Sequence, residues 1–433
     1  MSNFYLYFYV YVAVFVLVVA LYLKRRRKKH ETHSAQLQYA LETGLMEPPS
    51  LHPVVDLTRC MGSGACVMAC PEQALGVIKG KAVLINAAHC IGHGACAVSC
   101  PVEAIKLVFG TEKRGIDIPN VTPHFESNVA GIFIAGELGG MGLIRKAAQQ
   151  GRQAVNALRK KTGGKADYDV VIVGCGPAGL SAGLSAIENK LRYKLLEQEE
   201  SLGGAVFHYP RQKVAMTAPV ELALIGKVKF GEVHKEKLLE FWLDVVQKTG
   251  LQISFRERME AIERENGCFV VRTNRGSYTT RTVLLALGRR GTPRKLDVPG
   301  EETAKVMYRL IDPAQYQGQA VLVVGGGDSA LEAAITLSQQ PGTEVTLSYR
   351  GTSFSRVKQK NRVLLEQQEQ AGCLRVLLNS QVTLVAQEYV ELEQDSVTQR
   401  LRNDAVIVCA GGLLPTPLLQ SIGIEFETKF GKE

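Results

Sequence analysis

The chain has 433 residues, too many for one typical hydrophobic core, so two or three globular units are expected. Its composition, 46% hydrophobic and 21% charged, is that of a folded protein. The net charge of +9 does not mark a nucleic-acid binder: six of the positive charges form one run, Lys24 to Lys29, which leaves 9 − 6 = +3 for everything else and no basic face in the pattern.

Residues 4–23, FYLYFYVYVAVFVLVVALYL, carry no charge. A helix of that length rises about 30 Å, the thickness of a bilayer's hydrocarbon core, so the run predicts one transmembrane helix. A cleaved signal peptide carries its positive charges before the apolar stretch and a small-residue site after it; this segment has neither. The basic run behind the span holds that end in the cytoplasm, and Tyr5, Tyr7 and Tyr9 suit an interfacial aromatic belt. The expected localisation is a single-pass membrane protein with its body in the cytoplasm and residues 24–50 as a basic juxtamembrane linker. The competing reading is a buried core helix.

Ten cysteines in a cytoplasmic chain suggest metal or redox chemistry rather than structural disulfides. Six of them repeat: Cys60, Cys66, Cys70 and Pro71 are matched thirty residues later by Cys90, Cys96, Cys100 and Pro101. Residues 51–109 therefore resemble a bacterial two-cluster ferredoxin, whose run is C-x2-C-x2-C-x3-C-P. The second cysteine of each run is replaced, by Ser63 and by His93. In that family the fourth cysteine of one run ligates the other run's cluster. The resemblance then implies one cluster on Cys60, Cys66 and Cys100 with Ser63 at the open corner, and another on Cys90, Cys96 and Cys70 with His93 there. Three thiolates hold a [3Fe–4S] cluster, or a [4Fe–4S] cluster whose fourth iron takes Ser, His or water. His93 is either a ligand that raises its cluster's potential or a bystander. Zinc fits less well, because structural zinc sites favour closely spaced cysteine pairs.

Two dinucleotide fingerprints follow. After the apolar run YDVVIV, Gly174, Gly176 and Gly179 make G-x-G-x-x-G, which serves a tight turn, close backbone approach to a pyrophosphate, and close helix packing. A second strand ends at Glu197, 23 residues after Gly174, where an acid binds ribose hydroxyls. Gly203 and Gly204 follow, as in FAD-binding disulfide-reductase-like flavoproteins, and Cys175 inside the turn carries no assigned chemistry. The second fingerprint is Gly325, Gly327 and Ala330, and its second strand ends at Tyr349-Arg350 with Arg356 beyond. A cation in place of the acid favours the 2′-phosphate of NADP; the alternative is that both arginines solvate a loop.

From residue 110 onward the chain resembles the thioredoxin-reductase-like flavoproteins, including the ferredoxin–NADP reductases built on that scaffold. In those relatives a final strand ending in Gly-Asp, plus a helix, completes the FAD site at the C-terminus. Here the matching piece, GIFIAGELGG with the helix-like stretch behind it, precedes the first fingerprint. The resemblance thus implies a circular permutant in which Gly136 and Glu137 close the FAD site. The expected fold class is α/β, with two Rossmann-like domains behind a small α+β ferredoxin-like domain and the helix. The implied divisions are a closing segment at 110–165, an FAD domain at 166–290, an NADP domain at 291–405, and a return at 406–433.

Thioredoxin reductases carry a C-x-x-C dithiol before the second glycine turn; this chain has none there, and Cys268, Cys373 and Cys409 stand singly, as buried, inert thiols would. The expected function is a membrane-anchored oxidoreductase that passes electrons between NADP(H), FAD and two iron–sulfur clusters, to or from a redox protein or quinone. No side chain is assigned acid or base work. A homodimer is expected from the resemblance. The alternatives are an NADPH-dependent reductase of a small disulfide at the flavin, and a non-catalytic iron–sulfur sensor.

Overall fold

In the computed structural model the described residues are 2–431 apart from 44, 49, 50, 91, 93, 113, 114, 141, 162–164, 210, 212, 217, 218, 230, 290–292, 356 and 414; residues 2–6, 8–10, 214 and 216 are described without their side chains. The chain divides into two units, one of Met1–Thr111 with Ser353–Gln359 and Gly431–Glu433, the other of Glu112–Thr352 with Lys360–Phe430.

The first unit begins with one helix, Ser2–Glu42. The uncharged run at 4–23 is only its first half, and the residues expected as a linker continue the helix through the basic run. Among the described residues no helix is long and apolar enough to cross a membrane. Within the predicted span the side chains of residues 4–6 and 8–10 lie outside the described residues. The predicted transmembrane anchor and the membrane localisation drawn from it are therefore corrected. The far end of the helix is docked. Val77 donates its backbone N–H to His33 Nδ1 at 3.1 Å, and Ala40 and Leu45 bury against Ala88.

The cysteine repeat is also a structural repeat. Strand His52–Val55 pairs antiparallel with Ile105–Val108, and Leu75–Ile78 pairs with Lys81–Leu84. Each cysteine run carries one short helix, Ala65–Met68 and Ala95–Val98, entered through left-handed glycines: Gly64 at φ 75° and Gly94 at φ 74°.

The second unit holds two sheets with central parallel strands, buried on both faces as crossover helices require. In the first sheet Tyr168–Val173 lies between Tyr193–Leu196 and Gly276–Leu285. The latter strand is long enough to pair antiparallel with Cys268–Thr273 at its start and parallel with Ile132–Ile134 at its end, in the register Val283↔Ile132. The second sheet orders Val306–Met307, Ala405–Val408, Ala320–Val324, Glu344–Ser348 and Leu374–Leu377, all parallel. A separate strand pair joins Ile116–Pro119 to Phe426–Lys429.

Helix Ile144–Leu158 packs on helix Pro177–Glu188 with no side chain between the backbones at Gly151. A Cβ there would stand 2.0 Å from the Ala178 carbonyl oxygen. Alanine is the better helix former, yet overpacking backbone against backbone costs about 1–3 kcal/mol. Gly151→Ala is expected to lose stability by about that amount in denaturant unfolding; an unchanged or raised midpoint would mean the two helices part freely.

Candidate functional site

Two groups of thiols form in the first unit. One pocket is lined by Cys60, Ser63 and Cys66 of the first run together with Cys100 of the second, floored by Ala82 and Ile105. Backbone N–H groups of Ala82 and Ala104 point at the Cys60 and Cys100 sulfurs, at 3.4 and 3.2 Å. Burial pushes the Cys66 thiol up, and nearby Cys60 and Cys100 push it further. The other group is Cys90, Cys96 and Cys70: burial raises Cys90 to about 11, and Cys96, Cys70 and Glu72 add to the rise. Buried thiols that repel one another as thiolates fit a cationic iron core, which relieves that repulsion. Among the described residues no three His, Cys, Asp or Glu side chains converge on a single ion position. Thiols standing around a pocket suit a polynuclear cluster, in which each would take its own iron. Ser63 is exposed at the rim. His93 lies outside the described residues.

The first glycine turn is built for close approach. Gly174 has φ +104°, and a Cβ on it would meet the Ala286 carbonyl oxygen at 2.5 Å; one on Gly179 would meet the Gly174 oxygen at 1.8 Å. Gly176 leads into the helix at Pro177, and its Cα lies 2.9 Å from where Gly204 would place a Cβ. Gly203 beside it has φ +108°. Glu197 is buried and turned back on the fingerprint: Oε2 accepts from the Cys175 N–H at 2.7 Å and Oε1 from the Glu199 N–H at 3.0 Å. Burial raises its pKa, against the pull of those N–H donors.

Gly136 and Glu137 arrive at the same place from the other side. The Ala135 N–H donates to the Leu285 carbonyl at 3.0 Å, and a Cβ on Gly136 would stand 3.1 Å from that of Ala178. The Gly136 N–H donates to Gln150 Oε1 at 2.8 Å. Glu137 opens a short helical turn, and its charge opposes the burial that lowers the pKa of Arg289. Gln150 and Arg289 were not among the expected site residues. Nothing in their spacing marks them, since both reach the site through a strand pairing between distant segments.

The second glycine turn repeats the first. A Cβ on Gly325 would meet the Cys409 carbonyl oxygen at 2.5 Å, while Gly327 has nothing within 4 Å of that position, and Ala330 is fully buried. The helix Asp328–Ser338 begins there. Tyr349 turns its ring onto Gly326, Arg350 is exposed beyond it, and Arg356 lies outside the described residues. Of the single cysteines, Cys175 and Cys268 are buried and Cys409 is half-buried, but Cys373 is exposed, contrary to expectation.

The comparisons with known proteins cover both units. The family described as pyridine nucleotide-disulphide oxidoreductase matches residues 171–431, and a 4Fe-4S dicluster domain matches residues 52–101. The ferredoxin–NADP reductase of Thermus thermophilus is 30% identical over 271 residues, 60% of this chain and 77% of that protein. The bacilliredoxin reductase Bdr of Bacillus subtilis is 26% identical, over 60% of this chain and 82% of its own. The solved bacillithiol disulfide reductase Bdr of Staphylococcus aureus, at 22% identity, covers 62% of this chain and 86% of its own with a TM-score of 0.56, a likeness of fold.

Glu197 makes a testable pH signature. Its folded pKa lies above the ordinary 4.5, so the neutral form favours folding. That contribution is complete below the unfolded value and is lost as pH rises through the folded one. The stability of the wild type relative to Glu197→Gln is therefore expected to decline as pH rises above about 4.5. Parallel denaturant-unfolding curves across that window would refute the assignment.

Proposed function

The chain belongs to the pyridine nucleotide-disulphide oxidoreductase family, and from that premise we propose how its parts divide the work. It is an NADPH-linked flavin oxidoreductase with a 4Fe-4S ferredoxin-like domain. In our reading FAD lies on the first glycine turn and NADP(H) on the second. Two clusters in the first unit would exchange electrons with a redox protein or quinone. Bound there, FAD would supply hydride uptake as an electron pair and release of single electrons, and iron–sulfur clusters would supply single-electron transfer.

The residues supply place and charge. Gly174, Gly176 and Gly179 clear the backbone for a pyrophosphate at the N-terminus of helix Pro177–Glu188. Glu197 fixes the turn through the Cys175 N–H and presents its carboxylate at the end of the strand. The segment 110–165 closes this site in permuted order, which the parallel pairing of Ile132–Ile134 with Gly276–Leu285 supports. Helix Ile144–Leu158 would then offer its positive end to reduced flavin. Arg350, with Arg356, would meet the 2′-phosphate. Cys60, Cys66 and Cys100 with Ser63 would hold one cluster; Cys90, Cys96 and Cys70 with His93 would hold the other.

The observation that carries this reading is the pocket that joins thiols of both cysteine runs in a chain with two glycine turns. The similarity to bacilliredoxin reductase supports a second reading, a disulfide reductase working directly at the flavin, but it leaves the cysteine domain without a role.

Anaerobic titration with NADPH, followed by flavin absorbance and cluster EPR, separates the two: flavin bleaching with no change in the clusters would favour the second. Cysteine variants test the crossed ligation. Cys60→Ala and Cys100→Ala are expected to abolish the same EPR signal and about half the iron, although the residues come from different runs; Cys90→Ala and Cys70→Ala should abolish the other. Pairing by run, with Cys60 and Cys70 losing one signal together, would refute the assignment.

A further inference from the structure

The thirty-residue repeat gives the first unit an internal control. Residues thirty apart hold equivalent places in its two halves, so a difference between them marks a difference in duty. Beside the group of Cys60, Cys66 and Cys100, Leu57 is 56% exposed and Met61 is 66% exposed. Arg59 between them is exposed as well. The hairpin of Leu75–Ile78 and Lys81–Leu84 brings two more cations to the same place. Its turn, Lys79-Gly80, has φ 47° and 75°. The turn sits hard against the loop after Cys60, where a Cβ on Gly62 would stand 2.0 Å from the Gly80 carbonyl oxygen. Lys79 is exposed there, and the Lys81 ammonium is held on the Cys60 carbonyl at 2.6 Å. Asp56, the acid of this stretch, turns onto its own loop. It accepts from the Thr58 N–H at 2.8 Å and from the Thr58 hydroxyl at 2.6 Å.

The other half carries neither the apolar centre nor the lysines at the matching described positions. Leu57, Thr58 and Arg59 are matched by Ala87, Ala88 and His89, and Lys79 and Lys81 by Phe109 and Thr111. Ile91, the counterpart of Met61, lies outside the described residues. Ala87 and Ala88 are buried, at 0% and 2% exposure. The N-terminal helix and the chain leaving it cover Ala88: Ala40 and Leu45 pack on it, and its N–H donates to the Leu45 carbonyl at 3.3 Å. The charges differ too. Glu72 acts on Cys90 of the second group, while its counterpart at the first group is Val102, which lines the pocket.

We infer that the group of Cys60, Cys66 and Cys100 is the outward port of the first unit, and that Leu57 and Met61, ringed by Arg59, Lys79 and Lys81, dock an acidic one-electron carrier protein. An apolar centre excludes water between two redox centres, while a charged rim steers and orients the approach. A quinone has no need of a cationic ring, and a basic carrier is repelled by one. One electron crosses at each docking: the cluster is oxidised by one as the carrier is reduced by one, or the reverse. Two dockings balance one hydride. The inference rests on the reading of the two thiol groups as iron–sulfur clusters.

Two measurements on the iron-loaded full chain test it. The first is microwave power saturation of the reduced EPR signals, with and without a soluble dysprosium chelate. The signal that Cys60→Ala abolishes is expected to relax faster with the chelate, and the signal that Cys90→Ala abolishes to stay as it was. Equal effects, or the opposite order, would overturn the port. The second is stopped-flow mixing of the oxidised chain with a reduced, acidic plant-type [2Fe–2S] ferredoxin as the electron donor. Arg59→Glu combined with Lys79→Glu is expected to keep its iron and both EPR signals. It should accept electrons about tenfold more slowly at low salt, with the difference gone at about 1 M salt. An unchanged rate at low salt would overturn the docking surface. So would slower reduction of the clusters by NADPH in that variant, which would turn the patch toward the chain's own flavin unit. Absence of cluster signals from the reduced wild type would remove the cluster reading, and the port with it. Clusters that take electrons from ferredoxin but not from NADPH would remove the conduit from flavin and leave the port standing.

Discussion

The second unit depends on one close approach, the backbone of Gly151 against the carbonyl of Ala178. Dispersion and exclusion at that contact set the separation of helices Ile144–Leu158 and Pro177–Glu188, since neither backbone can yield. The helix from Ile144 follows strand Ile132–Ile134 after a short turn, so fixing the helix fixes the strand beside Gly276–Leu285. Gly136 and Glu137, at the end of that strand, then have only one place to go, next to the first glycine turn. The C-terminal return is tied to the same segment, through Ile116–Pro119 on Phe426–Lys429 and through Asn128, which bonds both Gly423 and Glu425. Residues far apart in the chain thus share one site because two helices touch without side chains.

The first unit solves a different problem. In a domain this small, buried thiols add cohesion only if something offsets their mutual repulsion as thiolates. Around the cysteines the frame is two antiparallel pairs and two helices of four residues each, too little secondary structure to enforce sulfur positions by packing alone. Local donors hold the cysteines as well. Backbone N–H groups are aimed at Cys60 and Cys100, and the Lys81 ammonium sits on the Cys60 carbonyl at 2.6 Å.

Much of this was legible in the sequence because it rests on spacing. The thirty-residue repeat announces two equivalent halves, and a G-x-G-x-x-G behind an apolar run announces a strand, turn and helix. The displaced strand at 132–134 was recognisable from its apolar run and the glycine that ends it. The N-terminal helix was misread for an instructive reason. An uncharged run reports what a segment lacks, while the helix is set by propensity, which the lysines, arginines and glutamines beyond it share; the boundary expected at residue 24 is no boundary in the backbone. Gln150, Arg289 and the ring of Tyr349 were not legible at all. Each takes its meaning from a neighbour brought in by tertiary contact, and no periodicity records that.

The two turns make the same point about how one backbone serves two roles. In both, a Cβ on the first glycine would stand the same 2.5 Å from a carbonyl oxygen at the end of the neighbouring strand, Ala286 in one and Cys409 in the other. The geometry that forbids a side chain there is a property of the parallel sheet, so it recurs. What the sheet leaves free is the residue at the end of the second strand. A carboxylate in that place, bonded to two backbone N–H groups, is held still and holds the turn still. An aromatic ring in that place, that of Tyr349, rests instead on Gly326 in the middle of its turn. The two fingerprints thus differ in the residue that ends the second strand, on turns whose backbones are otherwise alike.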